Sequence, residues 1–209
     1  NPHTDYNAYL SPMLVPGVMF LFIFIFTAYS IGCELKYERS HEWLKMAGGN
    51  IWVALMGKML PQMLLSMLMM SAYLIYIYGV MGFPHEGSWM VIFLLGFLSV
   101  LAAEGFGIFM FSLLPSMRMS MSLCSLWAVL SFSMVGTAFP VMAMDPALET
   151  LAWLFPLRHY FVIYQTSIFS GYSLTYCWVN IACLIAFALL PLPLMGRLKK
   201  VMMTFKYMD

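Results

Sequence analysis

Charge is what this sequence has least of. Its 209 residues include ten Lys or Arg and nine Asp or Glu, 9% of the chain, while 63% are hydrophobic. Soluble domains carry about 25% charged residues, so the composition excludes a water-soluble fold and defines an integral membrane protein. The net charge of +1 leaves no basic field to meet phosphates, which excludes nucleic acid as a partner. Four cysteines occur, Cys33, Cys124, Cys177 and Cys183, in or at the ends of apolar runs and never as Cys-x-x-Cys. They read as small packing residues, not as a disulfide frame or a metal site. No phosphate-binding loop, no His-Glu-x-x-His pattern and no Gly-x-Ser-x-Gly elbow is present in the sequence, so the common nucleotide, zinc and serine chemistries have no carrier here. There is no internal repeat, no low-complexity tract and no signal peptide before the first apolar run.

Apolar runs near the length of a bilayer span, roughly 20 residues, are what remains. The sequence predicts five: 13–33, 51–83, 87–114, 119–143 and 173–196. The fold class is therefore an all-α polytopic membrane protein, one bundle over 13–196. Residues 1–12 form a polar external lead-in and 197–209 a cytoplasmic tail. The segment 144–171 holds Asp145, Pro146, Glu149, Pro156, Arg158 and His159. It reads as a broken, re-entrant hairpin in the outer leaflet that turns near Pro156 or Arg158, or as two helices lying flat on that surface. Irregular backbone at such depth persists only when buried in protein or lining a cavity.

Basic residues orient the bundle. With the loop 34–50 inside, Lys36, Arg39, Lys45, Lys58, Arg118, Arg197, Lys199, Lys200 and Lys206 fall inside or near that face, and only Arg158 falls outside. The amino terminus is then outside and the carboxyl terminus cytoplasmic. An outside start with no signal of its own predicts a further span and an external segment upstream.

The stretch 34–50, Glu-Leu-Lys-Tyr-Glu-Arg-Ser-His-Glu-Trp-Leu-Lys-Met-Ala-Gly-Gly-Asn, is the only densely charged one before the tail. It predicts a short helix over 40–47. Ser40 would be the N-cap, Glu42 sits in the first turn where the helix dipole favours an anion, and Gly48-Gly49 ends it. Glu38, Glu42 and Lys45 make a polar face; Trp43, Met46 and Ala47 make an apolar one. Such a helix either holds a partner protein or lies on lipid headgroups.

Within the spans the costliest residue is Glu104, about 3 kcal/mol on insertion scales. It should face the bundle interior and have a partner. Its depth, about 25 Å from the outer end of its run, matches that of Lys58, about 10 Å from the inner end of its own. A Lys58–Glu104 ion pair joining the second and third runs is expected. A proton-relay or substrate role for Glu104 and a snorkelling Lys58 are the alternatives. The 22 methionines serve as adaptable packing or line a substrate path.

Several short pieces, taken in order, resemble the permease subunit of type-2 ATP-binding-cassette exporters. They are Asn1-Pro2, Pro16-Gly17, Glu34 with its charged stretch, and Gly57-Lys58-Met59-Leu60-Pro61. Then come Gly136-Thr137-Ala138-Phe139-Pro140 leading to Met144, and Phe155-Pro156-Leu157-Arg158-His159-Tyr160 followed by Gly171. The likeness covers nearly all of the chain, namely the part of such permeases after the first span and external domain. Where the family often has Gly-Thr, four residues after the Glu34 position, this chain has Glu38-Arg39. Gln165 replaces a common Arg, and Asp145 intervenes after Met144.

The resemblance implies that the 40–47 helix is a coupling helix resting in a groove of a separate ATP-hydrolysing subunit, with Glu34, Ser40, Glu42, Trp43, Leu44 and Met46 at that site. It also implies an outer hairpin marked by Pro140, Pro156, Arg158, His159 and Tyr160. A second permease subunit, identical or not, would complete the pathway in the lipid of a bacterial inner membrane. The chain would bind no cofactor and no metal itself, ATP and Mg belonging to the ATPase. The expected function is export of a substrate, such as an amphiphile or drug. A membrane-embedded enzyme using Glu104 or Arg158 with His159, and a non-transporting scaffold, are the other readings.

Overall fold

The structure is a computed structural model that describes residues 6–136 and 145–204. All regular structure among the described residues is helical. Helix α1 (Tyr6–Lys36) is followed by the short α2 (Ser40–Met46). Helix α3 (Ile51–Ile75) passes directly into a π-helical turn, Tyr76–Val80. Then come α4 (Trp89–Leu113), α5 (Met117–Met134), α6 (Pro146–Ala152) and α7 (Pro156–Ile163), which ends in a second π-turn, Tyr164–Phe169. Helices α8 (Trp178–Leu189) and α9 (Met195–Thr204) close the chain.

Four described stretches are long and apolar enough to cross a membrane: Leu10–Lys36, Ile51–Val80, Trp89–Leu113 and Leu174–Thr204. The expected run 119–143 differs. It is helical as α5, 18 residues long, but its serines dilute its hydropathy and its last seven residues, with Pro140, lie outside the described residues. Among the described residues, four of the five expected runs lie in helices long and apolar enough to span.

The expected lead-in before residue 13 is helical from Tyr6, and Pro12 and Pro16 lie inside α1. A proline has no N–H for the carbonyl four residues back. Pro16 therefore frees the carbonyl of Pro12, and the fully buried Tyr160 hydroxyl donates to it at 3.1 Å. One turn of defect in α1 thus becomes the attachment point of α7. Tyr73 on α3 likewise donates to the carbonyl of Ser11 at 2.7 Å.

Helix α4 is the centre of the bundle. Its sequence Glu104-Gly105-Phe106-Gly107 explains why. A Cβ on Gly105 would lie 2.6 Å from the carbonyl oxygens of Phe187 and Ala188, and one on Gly107 would lie 2.8 Å from Thr27 Cβ. The two glycines let α8 and α1 approach α4 backbone to backbone, the contact that substitutes for hydrophobic drive within lipid. Between them Phe106 gathers rings from three helices: Phe24 of α1 at 5.0 Å, Trp127 of α5 at 5.7 Å and Phe187 of α8 at 5.9 Å. By contrast α3 presents a bare stripe of Met56, Leu60, Leu64 and Leu68, each about half exposed or more. An apolar stripe of that length suits lipid, not water.

A second, smaller cluster sits at the α2 end. There Leu44 packs among Ile31, Leu35, Leu55, Phe111, Leu198 and Met202. Residues expected as a tail therefore fold as α9, whose Met195, Leu198 and Met202 turn inward while Arg197, Lys199 and Lys200 stay exposed.

The close contact at Gly105 has a measurable consequence. Gly105→Ala must push backbone atoms apart and is expected to lower stability by about 1–3 kcal/mol. Gly57→Ala, on an exposed face with nothing within 4 Å, should gain roughly 0.5–1 kcal/mol. Melting temperatures of the two variants in detergent should move in opposite directions.

Candidate functional site

Seven residues are too few for a stable helix in isolation, so α2 must be held by its surroundings. Its inward edge is Ser40 and Leu44, one turn apart. Leu44 is 1% exposed in the small cluster, and Ser40 Oγ donates to the carbonyl of Met202 on α9 at 2.7 Å. Its outward edge carries His41, Glu42, Lys45 and Met46, all exposed, Met46 by 82%. Trp43 is half-buried between the two edges.

The expected capping is corrected by this packing. Arg39 occupies the N-cap position without a side-chain hydrogen bond; Ser40 is turned inward because its hydroxyl satisfies a buried carbonyl of α9. The end is as anticipated: Gly48 and Gly49 take φ of 64° and 74°, and their amides bond back to Lys45 and Leu44. Of the six residues proposed to face an ATPase, Ser40 and Leu44 are inside the protein and Glu34 is engaged in an ion pair. Glu42 and Met46 face outward.

The expected Lys58–Glu104 pair is not formed. Lys58 Nζ instead donates to Glu34 Oε1 at the end of α1 and lies 5.5 Å from the centre of the Trp43 ring. The depth argument sets the height of both residues but not the side of the helix each occupies. Lys58 is on the edge of α3 that borders α1 and α2, 21% exposed at its side chain. Glu104 is 5% exposed, and its Oε1 has no hydrogen-bond partner among the described residues. The Glu34–Lys58–Trp43 contact thus joins α1, α3 and α2 at one point.

Two cavities meet at Lys58. One, of about 410 Å³, lies between α2 and α3 and is lined by Glu34, Trp43, Met46 and Ala47 together with Lys58. The other, of about 760 Å³, is a groove between α1 and α3.

Just before α2, Glu38 has φ of 56°. The left-handed conformation costs an L-residue roughly 1–2 kcal/mol. A glycine at this turn from α1 into α2 would carry no such cost.

At the other end of the bundle, α6 and α7 follow one another across a break at 153–155. Pro156 stands at the first turn of α7, where its missing N–H is harmless. Arg158, His159 and Tyr160 are all buried. His159 Nε2 donates to the carbonyl of Trp153 and Nδ1 faces the Asn180 side-chain amide, both at 2.9 Å. The ring therefore clamps this break to α8. The Arg158 guanidinium lies 5.8 Å from the Trp153 ring centre. Burial pushes its pKa below the ordinary value, while Glu149 acts the other way. Pro140 lies outside the described residues.

Among the described residues no cluster of His, Cys, Asp or Glu could hold a metal ion. What the fold defines is an all-helical protein with four stretches able to cross a membrane, with the short, outward-facing α2 at one end and the buried α7 at the other.

The chain belongs to the family described as ABC-2 family transporter protein, which it matches over residues 1–196. It is 22% identical over 180 residues to a probable multidrug ABC transporter permease, YbhR, of Escherichia coli K12, and equally to YbhR of Escherichia coli O157:H7. The match covers 85% of this chain and 48% of each relative, so the chain spans about half the length of the curated relatives it matches. No solved structure matches it. The family places the chain among membrane transport proteins.

The strain and the packing around α2 are separable. Glu38→Gly should raise the melting temperature, by relief of about 1 kcal/mol. Leu44→Ala should cost about 2–5 kcal/mol and expose the 37–50 segment to protease at lower temperature than in the wild type.

Proposed function

We propose that the chain is the membrane-spanning subunit of an exporter that moves its substrate out across a bacterial inner membrane. A separate ATP-binding-cassette ATPase drives it by docking on α2. The observation that carries this reading is the two-sided character of α2. One edge is anchored in the protein by Leu44, Ser40 and the α9 carbonyl, and the other presents Glu42, Lys45 and Met46 to the outside. A helix so held transmits a push into α1, α3 and α9 instead of absorbing it. The membership of the ABC-2 family supports an ATPase partner, and the multidrug description of the E. coli relatives supports an amphiphilic cargo.

In this reading α2 and the basic face of α9 are cytoplasmic, as the distribution of Lys and Arg requires, and the start of α1 is external. Helix α5 is the fifth span. The α6–α7 hairpin enters from the outer leaflet and survives there because α7 is enclosed by protein, with His159 and Tyr160 bonded to α8, the hairpin turn and α1. ATP and Mg bind the ATPase pair, and two permease subunits flank the path.

The test is co-purification with the cognate ATPase. Met46→Asp combined with Glu42→Arg alters only exposed side chains. It should abolish capture of the ATPase and substrate-stimulated ATP hydrolysis while leaving the melting temperature of the permease unchanged. Undiminished capture by this variant would remove α2 as the docking element.

A further inference from the structure

The groove between α1 and α3 has a direction. The two helices run antiparallel, with contacts pairing Glu34 with Lys58, Thr27 with Gln62, and Ser11 with Tyr73. Their groove-lining residues therefore sort by height. Towards the far end from α2 the walls include Met19, Phe22, Leu65 and Met69, with Ser66 the one polar side chain there; towards the α2 end they include Ser30, Cys33, Lys58 and Gln62. From Lys58 to Met69 the rise is about 16 Å. No carboxylate lines the groove: Glu34 faces the neighbouring α2–α3 cavity, and Lys58 alone borders both. Seen from inside the groove, the polar end is the Lys58 ammonium, whose Glu34 partner lies on its far side outside the lining, above a largely apolar trough.

We propose that this groove binds a single-chain anionic amphiphile, its tail along Phe22, Leu65 and Met69 and its oxyanion on the Lys58 ammonium. Charge complementarity selects the anion over a cation. The gradient from apolar to polar along the trough selects a molecule with one head and one tail over a uniformly apolar one. Binding has a second effect. The Lys58 ammonium holds Glu34 and sits over Trp43, so an incoming oxyanion competes for the group that ties α2 to α1 and α3. Occupation of the groove thereby loosens the seating of α2. This last step rests on α2 being the docking element; the binding step does not.

Binding is measured by fluorescence titration of the purified chain in a neutral maltoside detergent. The probes are a dansyl-labelled undecanoate, its methyl ester, and a dansyl chain of equal length ending in trimethylammonium. The carboxylate should bind about tenfold or more tightly than either of the others. Lys58→Gln should remove that preference and leave ester binding unchanged, and Lys58→Arg should retain it. Glu34→Gln, which frees Lys58, should tighten the carboxylate. Equal affinities for the three probes, or weakening of the carboxylate by both Lys58→Gln and Glu34→Gln, would overturn the proposal, the second result marking the pair as structural only. Because the titration uses no ATPase, its failure leaves the docking of α2 untouched, and loss of docking leaves the titration untouched.

Discussion

The bundle depends on the approach of three helices at Gly105 and Gly107. Lipid gives apolar helices no reason to prefer each other over acyl chains, so association rests on how closely backbones pack. At these two positions α8 and α1 come within van der Waals distance of the α4 backbone, and Phe106 fills the space left between them with rings from α1, α5 and α8. Everything placed against that centre inherits its geometry. Helix α7 is enclosed by α4, α5 and α8, and its Tyr160 reaches the carbonyl that Pro16 leaves free in α1. Glu104, adjacent to the tightest contact, is shut inside the protein by the same packing.

The second level of organisation is at the α2 end, where a small apolar cluster and a few polar contacts hold a helix too short to stand alone. Leu44 supplies the apolar anchor. Ser40 reaches α9, and Lys58 connects α3 to the end of α1 and to the Trp43 ring. These contacts join the first and last described helices through α2. A force applied to the exposed edge of α2 is thus shared by α1, α3 and α9, while α7 at the opposite end is tied to α1 and α8. The physical continuity between the two ends runs along α1, which is about 46 Å long.

Residue types alone located the helices well and their partners poorly. Hydrophobic runs and glycine stops mark α1, α3, α4 and α2, because these depend on composition and on local backbone preference. The charged stretch 34–50 stood out for the same reason, and the glycine pair ended its helix where expected. Glu38 is the instructive departure. The left-handed turn there, which glycine would adopt without cost, carries a carboxylate side chain. The Ser40 cap was misread because a hydroxyl at a helix start has two possible partners, a backbone amide of its own helix or a distant carbonyl, and only packing chooses between them.

By itself the sequence determined that this chain lives in a membrane and where its long apolar segments lie. Those properties follow from sums over residues, to which each position contributes independently. Only the tertiary structure decided that Lys58 belongs to Glu34 and not to Glu104, that the carboxyl-terminal basic segment folds as α9 against α2, and that Leu44 anchors α2 instead of facing a partner. Depth in a helix can be counted along the chain; the direction a side chain points depends on which neighbour the helix has turned toward. That rotation is set by close contacts such as those at Gly105 and Gly107, between residues distant in sequence.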